Sequence, residues 1–333
     1  ARAGTRGRPT GGRRGGARGG SRGARGEDMG PEALLTLGSI LGAEGRVGVG
    51  CSPTPGAGML ARAAAVGAAA AGSEVLTHSL TSPVQGAGAA TFHRLPVSLF
   101  VEESGGAIFL HLFDRDGLPL GRARERKLEH ALLQGEVRRT RGDKVGRLRL
   151  LDMSQEQWAR RVVEEACLRR PALRRLTVAV GDASPEDRAL RSALSALGCK
   201  LEGEWRPGLV AFHARRGGFS LTAQDERGAV VDAGQLLGVL ALIEMENGTG
   251  KVAVPAGASA AVELVAAGYG GTVLRLDRDG EQAVTLYAAQ PWLRQAPAAA
   301  VRICSRMAIS GQKLEALVAK TPRFSSWRRE VPL

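Results

Sequence analysis

From residue 31 onward, short runs of β-branched and other large apolar residues alternate with longer segments whose apolar positions repeat at helical spacing. The first pattern predicts strands and the second predicts amphipathic helices. The predicted strands cover residues 46–50, 74–80, 97–101, 107–113, 176–180, 200–205, 209–213, 219–223, 251–254, 272–276 and 282–287. The predicted helices cover residues 31–41, 55–71, 83–94, 154–169, 185–197, 232–246, 257–267, 298–307 and 310–320, and a further charged helix begins at 121. Regular alternation of strands and helices is typical of an α/β fold with parallel strands and right-handed crossovers.

One stretch departs from simple alternation, because two strands follow each other without a helix. Residues 97–101 and 107–113 are apolar runs separated by the polar loop Glu102-Glu103-Ser104-Gly105-Gly106. The sequence Asp114-Arg115-Asp116-Gly117 has the composition of a tight turn, since glycine tolerates a positive φ. A strand, a Ser/Gly loop, a second strand and a turn before a charged helix are therefore predicted here.

The N-terminal segment differs in composition from the rest of the chain. The formal net charge is +13, and the first 26 residues contain eight Arg and no acidic residue. This segment also lacks large apolar side chains, which predicts a disordered tail. Two interpretations remain open: an Arg/Gly-rich arm that binds nucleic acid nonspecifically through phosphate contacts, or a merely solvated tail.

Cysteine usage and hydropathy indicate a cytoplasmic protein. The four cysteines, Cys51, Cys167, Cys199 and Cys304, are widely spaced, as is usual for free thiols in a reducing compartment. The longest run of small apolar residues, Met59 to Ala71, is interrupted by Arg62 and is too short to span a bilayer. No membrane association is expected.

Few residues carry an independent signal for chemistry. The turn from Gly50 to Pro55 joins a strand to a helix, where helix N–H groups can hold an anion, although such a turn is more often a plain connection. The basic stretch 136–151 is either a phosphate-contacting patch or a solvated linker face. No nucleophile elbow, paired Cys/His site or Walker loop occurs in the sequence.

The stretch Leu95 to Leu133 resembles the active-site segment of the α-D-phosphohexomutase superfamily, which includes phosphoglucomutases, phosphomannomutases and phosphoglucosamine mutases. The resemblance extends over nearly all of residues 29–333. It is best to the phosphomannomutase-like segment that follows a sugar-phosphate nucleotidyltransferase in some bacteria, through Leu118 to Glu129, Val145-Gly146-Arg147 and the terminal Arg-Arg-Glu-Val-Pro. It implies three consecutive α/β/α domains with mixed, mostly parallel sheets. The expected boundaries are a disordered tail at 1–28, domain I at 29–150, a shortened domain II at 172–250, domain III at 251–321 and a tail at 322–333 where a fourth, absent domain would begin.

The resemblance also assigns candidate site residues. Ser104 stands nearest the family's phosphorylated serine, and His111 stands where the family has a lysine proposed as acid/base. His213, Arg215 and Gly217 stand where three aspartates hold magnesium in the family, and arginine repels a cation. Magnesium is the family's cofactor, but none is expected here.

These observations support three hypotheses on function. The leading one is a catalytically impaired relative that binds a sugar phosphate and acts as a regulatory or scaffolding module in nucleotide-sugar metabolism, in association with a nucleotidyltransferase domain. The second is an active phosphotransferase that interconverts hexose 6-phosphate and hexose 1-phosphate through Ser104. The third is nucleic-acid binding through residues 1–26.

Overall fold

The computed structural model describes residues 22–24, 30–168 and 176–322. Its first sheet has six strands in the order β1-β5-β4-β2-β3-β6. Strands β2, β3, β4 and β6 run parallel to one another, whereas β5 pairs antiparallel with both β4 and β1. The strands are β1 (Arg22–Ala24), β2 (Val47–Cys51), β3 (Val75–Thr77), β4 (Val97–Ser104), β5 (Ala107–Asp114) and β6 (Leu148–Leu150).

Helices cover both faces of this sheet, and they are α1 (Pro31–Gly42), α2 (Pro55–Ala70), α3 (Pro83–His93) and α4 (Arg122–Leu133). The apolar faces of α1 and α2 share one core with Val97, Leu99 and Val101 of β4. Phe100 points to the opposite face, where it packs against α3. This alternation follows from the two-residue period of a strand and gives a three-layer α/β/α arrangement.

The second sheet has five strands in the order β11-β10-β9-β7-β8. Strand β7 pairs parallel with β8 and β9, and the other pairs are antiparallel. The strands are β7 (Thr177–Val180), β8 (Lys200–Glu202), β9 (Val210–Arg215), β10 (Ser220–Gln224) and β11 (Val230–Val231). Helix α5 (Gln155–Ala166) precedes this sheet along the chain, and α6 (Pro185–Leu197) connects β7 to β8. Helix α5 begins with a capping box, in which the side chains of Ser154 and Gln157 each accept a hydrogen bond from the other's backbone N–H.

The third sheet consists of two parallel strands, β12 (Lys251–Val254) and β13 (Thr272–Arg275). The remaining helices are α7 (Ala233–Glu246), α8 (Ala261–Gly268), α9 (Gly280–Ala289), α10 (Ala296–Ser310) and α11 (Leu314–Ala319). Helix α10 is largely buried and belongs to the same core as α5, α6 and α7. The predicted α/β class with mixed, mostly parallel sheets is therefore confirmed.

Three local predictions differ from the structure. Residues 282–287, predicted as a strand, lie in helix α9, whose Ala283 is buried, so packing overrode the strand preference of Val284 and Thr285. The predicted linker at 136–151 contains strand β6, and residues 22–24 of the predicted tail form β1. The rest of that tail lies outside the described residues.

Cys51, Cys199 and Cys304 are free thiols, and Cys199 and Cys304 are buried, in agreement with the sequence-based expectation. Among the described residues, no helix combines the length and the hydropathy needed to cross a bilayer.

Candidate functional site

The carboxyl ends of β2, β3 and β4 meet at one edge of the first sheet, which we call the carboxyl edge. Ligands of open α/β sheets usually bind at such an edge, near the starts of the following helices. Here β2 leads through Ser52 to α2, β3 leads through His78 to α3, and β4 continues into the hairpin with β5. Buried Ser52 ties these parts together, since its hydroxyl accepts a hydrogen bond from the N–H of Glu103 at 2.9 Å.

Ser104 lies at the tip of the β4–β5 hairpin. The five-residue loop expected around it is instead a two-residue turn, because β4 extends to Ser104 and pairs with Ala107. Gly105 and Gly106 have φ values of +58° and +75°, which suit the tight turn of a two-residue hairpin. Ser104 is exposed, and its hydroxyl makes no hydrogen bond with the described part of the chain. The position therefore offers no base that would activate a nucleophile.

His111 lies on β5 and is only 5% exposed. Its Nε2 lies 2.7 Å from Oε2 of Glu102 on the neighbouring strand. The imidazole stacks on Phe113 of the same strand. Phe113 in turn packs against Phe219, which directly precedes β10, with 5.7 Å between the ring centroids. The structure thus joins His111, which the resemblance indicates as an acid/base candidate, to Glu102.

The loop after β9, which carries Arg215 and Arg216, packs against the start of α3. Gly217 and Gly218 adopt positive φ, and added Cβ atoms there would lie 2.7 Å from Pro83 and 2.4 Å from Val84 in the first turn of α3. Arg216 also has a positive φ of 55°, which is uncommon for a residue other than glycine. Arg215 and Arg216 are exposed, and neither forms an ion pair with the described residues.

Asp187 in the first turn of α6 fixes the strand that leads into this loop. Its Oδ1 accepts a hydrogen bond from the N–H of Ala214 at 2.9 Å, and the side chain is 6% exposed. The sequence shows this residue only as an acidic position in the first turn of a helix, which usually indicates an interaction with the helix dipole.

The donor set around the same loop does not fit magnesium. His213 is half-buried, Arg215 and Gly217 provide no oxygen side-chain ligand, and a hard cation requires several. In the described residues, no three His, Cys, Asp or Glu side chains converge in a geometry that would hold a metal ion. The positive charge near this loop is that of the Arg215 and Arg216 side chains.

His78 was not singled out by sequence reasoning, yet it is a buried ionisable group at the carboxyl edge. It is 7% exposed, stacks against Phe100 at 6.3 Å and fills the space that a Cβ atom at Gly50 would occupy. Burial, with a smaller contribution from the charge of nearby His93, lowers the pKa of His78 from 6.5 to about 4, against a partly offsetting contact with the backbone of Leu80. The only signal in the sequence is a histidine within the predicted strand 74–80.

This burial predicts a loss of stability in weak acid. The unfolded chain binds a proton on His78 near pH 6.5, whereas the folded protein keeps it neutral down to about pH 4. The stability that depends on a neutral His78 is therefore complete above pH 6.5. Between pH 6.5 and pH 4, the free energy of unfolding falls by about 1 kcal/mol for each unit by which the pH is lowered. Urea unfolding of the wild type and of His78→Leu between these pH values measures it.

Comparing the wild type with His78→Leu isolates the effect of His78, because His93 and the carboxyl groups are present in both proteins. We expect the slope of the unfolding free energy against pH to be smaller in the variant. Equal slopes would mean that folding does not lower the pKa of His78.

Parallel strands flanked by helices on both faces define an α/β protein. Solved structures with the same fold belong to the phosphoglucomutase/phosphomannomutase group. A phosphoglucomutase/phosphomannomutase family protein from Burkholderia thailandensis superposes with a TM-score of 0.72 at 14% identity, over 92% of this chain and 79% of that one. A putative phosphomannomutase from Thermus thermophilus gives 0.69 at 15% identity, over 92% of this chain and 82% of that one.

A more distant match is the exocytosis-sensitive phosphoprotein pp63/parafusin, a phosphoglucomutase from Paramecium, in its open form. It gives a TM-score of 0.60 at 9% identity, over 90% of this chain and 75% of that one. No family model and no curated protein matches the sequence. The chain therefore has the phosphohexomutase fold, while its site residues have to be judged from their own geometry.

Proposed function

We propose that this chain is a phosphohexomutase-fold protein that binds a sugar phosphate without transferring the phosphoryl group, and that it serves as a binding or regulatory module of carbohydrate metabolism. The proposal rests on the structure of the tip of the β4–β5 hairpin. A serine that cycles through phosphoserine needs an activating base and neutralised phosphoryl charge. Ser104 is the exposed last residue of β4, beside the two-residue turn and directly after Glu102 and Glu103, whose negative charges disfavour a phosphate dianion.

The loop after β9 supports the binding half of the proposal. Arg215 and Arg216 are anchored beside the start of α3 through the contacts of Gly217 and Gly218 with Pro83 and Val84. Guanidinium groups recognise phosphate oxygens by charge-assisted hydrogen bonds. Two arginines in place of a metal ion provide affinity for a phosphate dianion but no Lewis acid that activates it.

A mutase assay and a binding assay on the full chain test the two halves separately. The substrates are mannose 1-phosphate and glucose 1-phosphate, with magnesium and a bisphosphate primer, and Ser104→Ala is assayed beside the wild type. We expect no turnover above background in either protein. Sugar phosphate at about ten times its Kd should raise the melting temperature by about 2–4 °C.

Arg215→Gln combined with Arg216→Gln should abolish this rise, whereas Arg278→Gln, which removes an exposed arginine outside the carboxyl edge, should preserve it. Turnover that disappears in Ser104→Ala would show an active phosphotransferase and refute the proposal. A melting temperature that does not respond to either sugar phosphate would refute the binding role.

A further inference from the structure

A second surface lies on the part of the chain that forms the first sheet, and it displays apolar and basic side chains together. Almost every residue from 133 to 150 is exposed. The exposed apolar side chains in this stretch include Leu148 at 51% and Leu150 at 75%, together with Leu133, Val137 and Val145. Ordered apolar groups left in solvent on this scale usually mark an interaction site.

The backbone of this stretch is nevertheless held firmly. Arg138 exchanges two hydrogen bonds with Ser39 of α1, and Thr140 and Gly146 donate their N–H groups to carbonyls at the end of α2. Strand β6 itself pairs in parallel with β3. The exposure of Leu148 and Leu150 is thus a property of a fixed strand.

The outer edge of β6 is open. The carbonyl of Arg147 accepts from Val75, and the N–H of Leu151 donates to Thr77, so the odd-numbered residues direct their backbone groups towards β3. Leu148 and Leu150 therefore direct their N–H and C=O groups away from the sheet. In the described part of the chain, no strand pairs with this side of β6.

Charge indicates what kind of strand fits this edge. Residues 136–151 contain six basic residues, namely Arg138, Arg139, Arg141, Lys144, Arg147 and Arg149, against the two acidic residues Glu136 and Asp143. A second copy of β6 would place like charges opposite each other, which is destabilising. An acidic segment would instead meet opposite charges.

We propose that the outer edge of β6 binds an extended acidic segment of a partner protein, which adds to the first sheet as a further strand. Backbone hydrogen bonds to Leu148 and Leu150 provide the pairing, and apolar side chains at alternate positions of the segment cover these two leucines. Acidic side chains at the positions between them face the basic residues. This surface is separate from the carboxyl edge.

A short peptide of alternating glutamate and valine serves as the probe, and its binding to the full chain is measured by fluorescence anisotropy at physiological ionic strength. The same peptide with alternate backbone nitrogens methylated keeps the charge but cannot pair along an edge. Leu150→Glu should raise the Kd for the unmethylated peptide about tenfold. Val230→Glu is the matched control, because Val230 is equally exposed, at 74%, on an edge strand of the second sheet.

The Arg-rich N-terminal segment is present in all variants, so its attraction for the acidic peptide does not affect their comparison. Binding of the unmethylated peptide that is weakened by Leu150→Glu, by Arg147→Glu and by methylation would support the proposal. Lack of binding, equal binding of the methylated peptide or equal weakening by Val230→Glu would overturn it. Stronger binding to phosphatidylserine vesicles than to the peptide would also overturn it, because it would identify the surface as a membrane contact.

Discussion

Replacing Glu244 by alanine should lower the free energy of unfolding by about 3–5 kcal/mol, because it leaves a buried guanidinium without its carboxylate. Glu244 on α7 is fully buried, and the side chain of Arg302 on α10 is 8% exposed. Arg302 donates to Oε1 of Glu244 from Nε at 2.8 Å and from Nη2 at 2.6 Å. Urea unfolding of the full chain measures the change.

The surroundings of Arg302 explain why water does not replace the lost partner. Its Nη1 donates to the carbonyl of Ala166 at the end of α5, and its guanidinium lies 4.0 Å from the centroid of the Trp292 ring. The ion pair thus lies between three helices in the largest core of the protein. Burial raises the pKa of Glu244, against the attraction of Arg302, so desolvation is costly even with the partner in place.

Two further variants test this explanation. The double variant Glu244→Met with Arg302→Met should recover most of the lost stability, because buried ion pairs can often be replaced by apolar side chains. Glu74→Ala breaks an ion pair of similar length with Arg149, which is largely exposed, and should cost at most about 1 kcal/mol. A Glu244→Ala protein as stable as Glu74→Ala would contradict the expectation.

Gly67→Ala should destabilise the protein by about 2–3 kcal/mol, although alanine favours helices. Gly67 lies where α2 crosses α1, and a Cβ atom there would lie 2.0 Å from the carbonyl oxygen of Leu35. Gly38 on α1 faces α2 in the same way, at 1.9 Å from the carbonyl oxygen of Ala64. Two rigid backbones must separate to admit a methyl group at either position.

Gly58→Ala in the same helix is the control. A Cβ atom at Gly58 meets nothing within 4 Å, so the substitution should stabilise the protein by about 1 kcal/mol through helix propensity alone. Thermal and urea unfolding of both variants compare the effects. Equal effects of the two substitutions would mean that the α1–α2 contact is looser than the structure shows.

The sequence predicted elements best where local signals mark both ends. Helix α6 was predicted with its observed bounds, because Ser184 caps its start, Pro185 occupies the first turn and Gly198 ends it in the left-handed conformation. The turn at Asp114 also formed as expected, since its Oδ1 accepts from the N–H groups of Asp116 and Leu118. Such interactions span only a few residues and are visible in the sequence.

The site was less predictable than the fold. Ser104 and His111 were named from a family resemblance, but the structure places Ser104 on an exposed turn and pairs His111 with Glu102. The contact of His78 with Gly50 and the contacts of Gly217 and Gly218 with the start of α3 could not be predicted from the sequence. Each of these contacts joins segments that are far apart along the chain.

The sequence by itself determined the α/β class, the turn at Asp114 and the ends of α6, because these depend on residue type and short-range periodicity. Only the tertiary structure decided that residues 282–287 form a helix, that β6 borders the first sheet and that the loop after β9 packs against the start of α3. Burial and strand pairing are set by whichever distant segment packs alongside. That information is spread over the whole chain, so a local pattern cannot supply it.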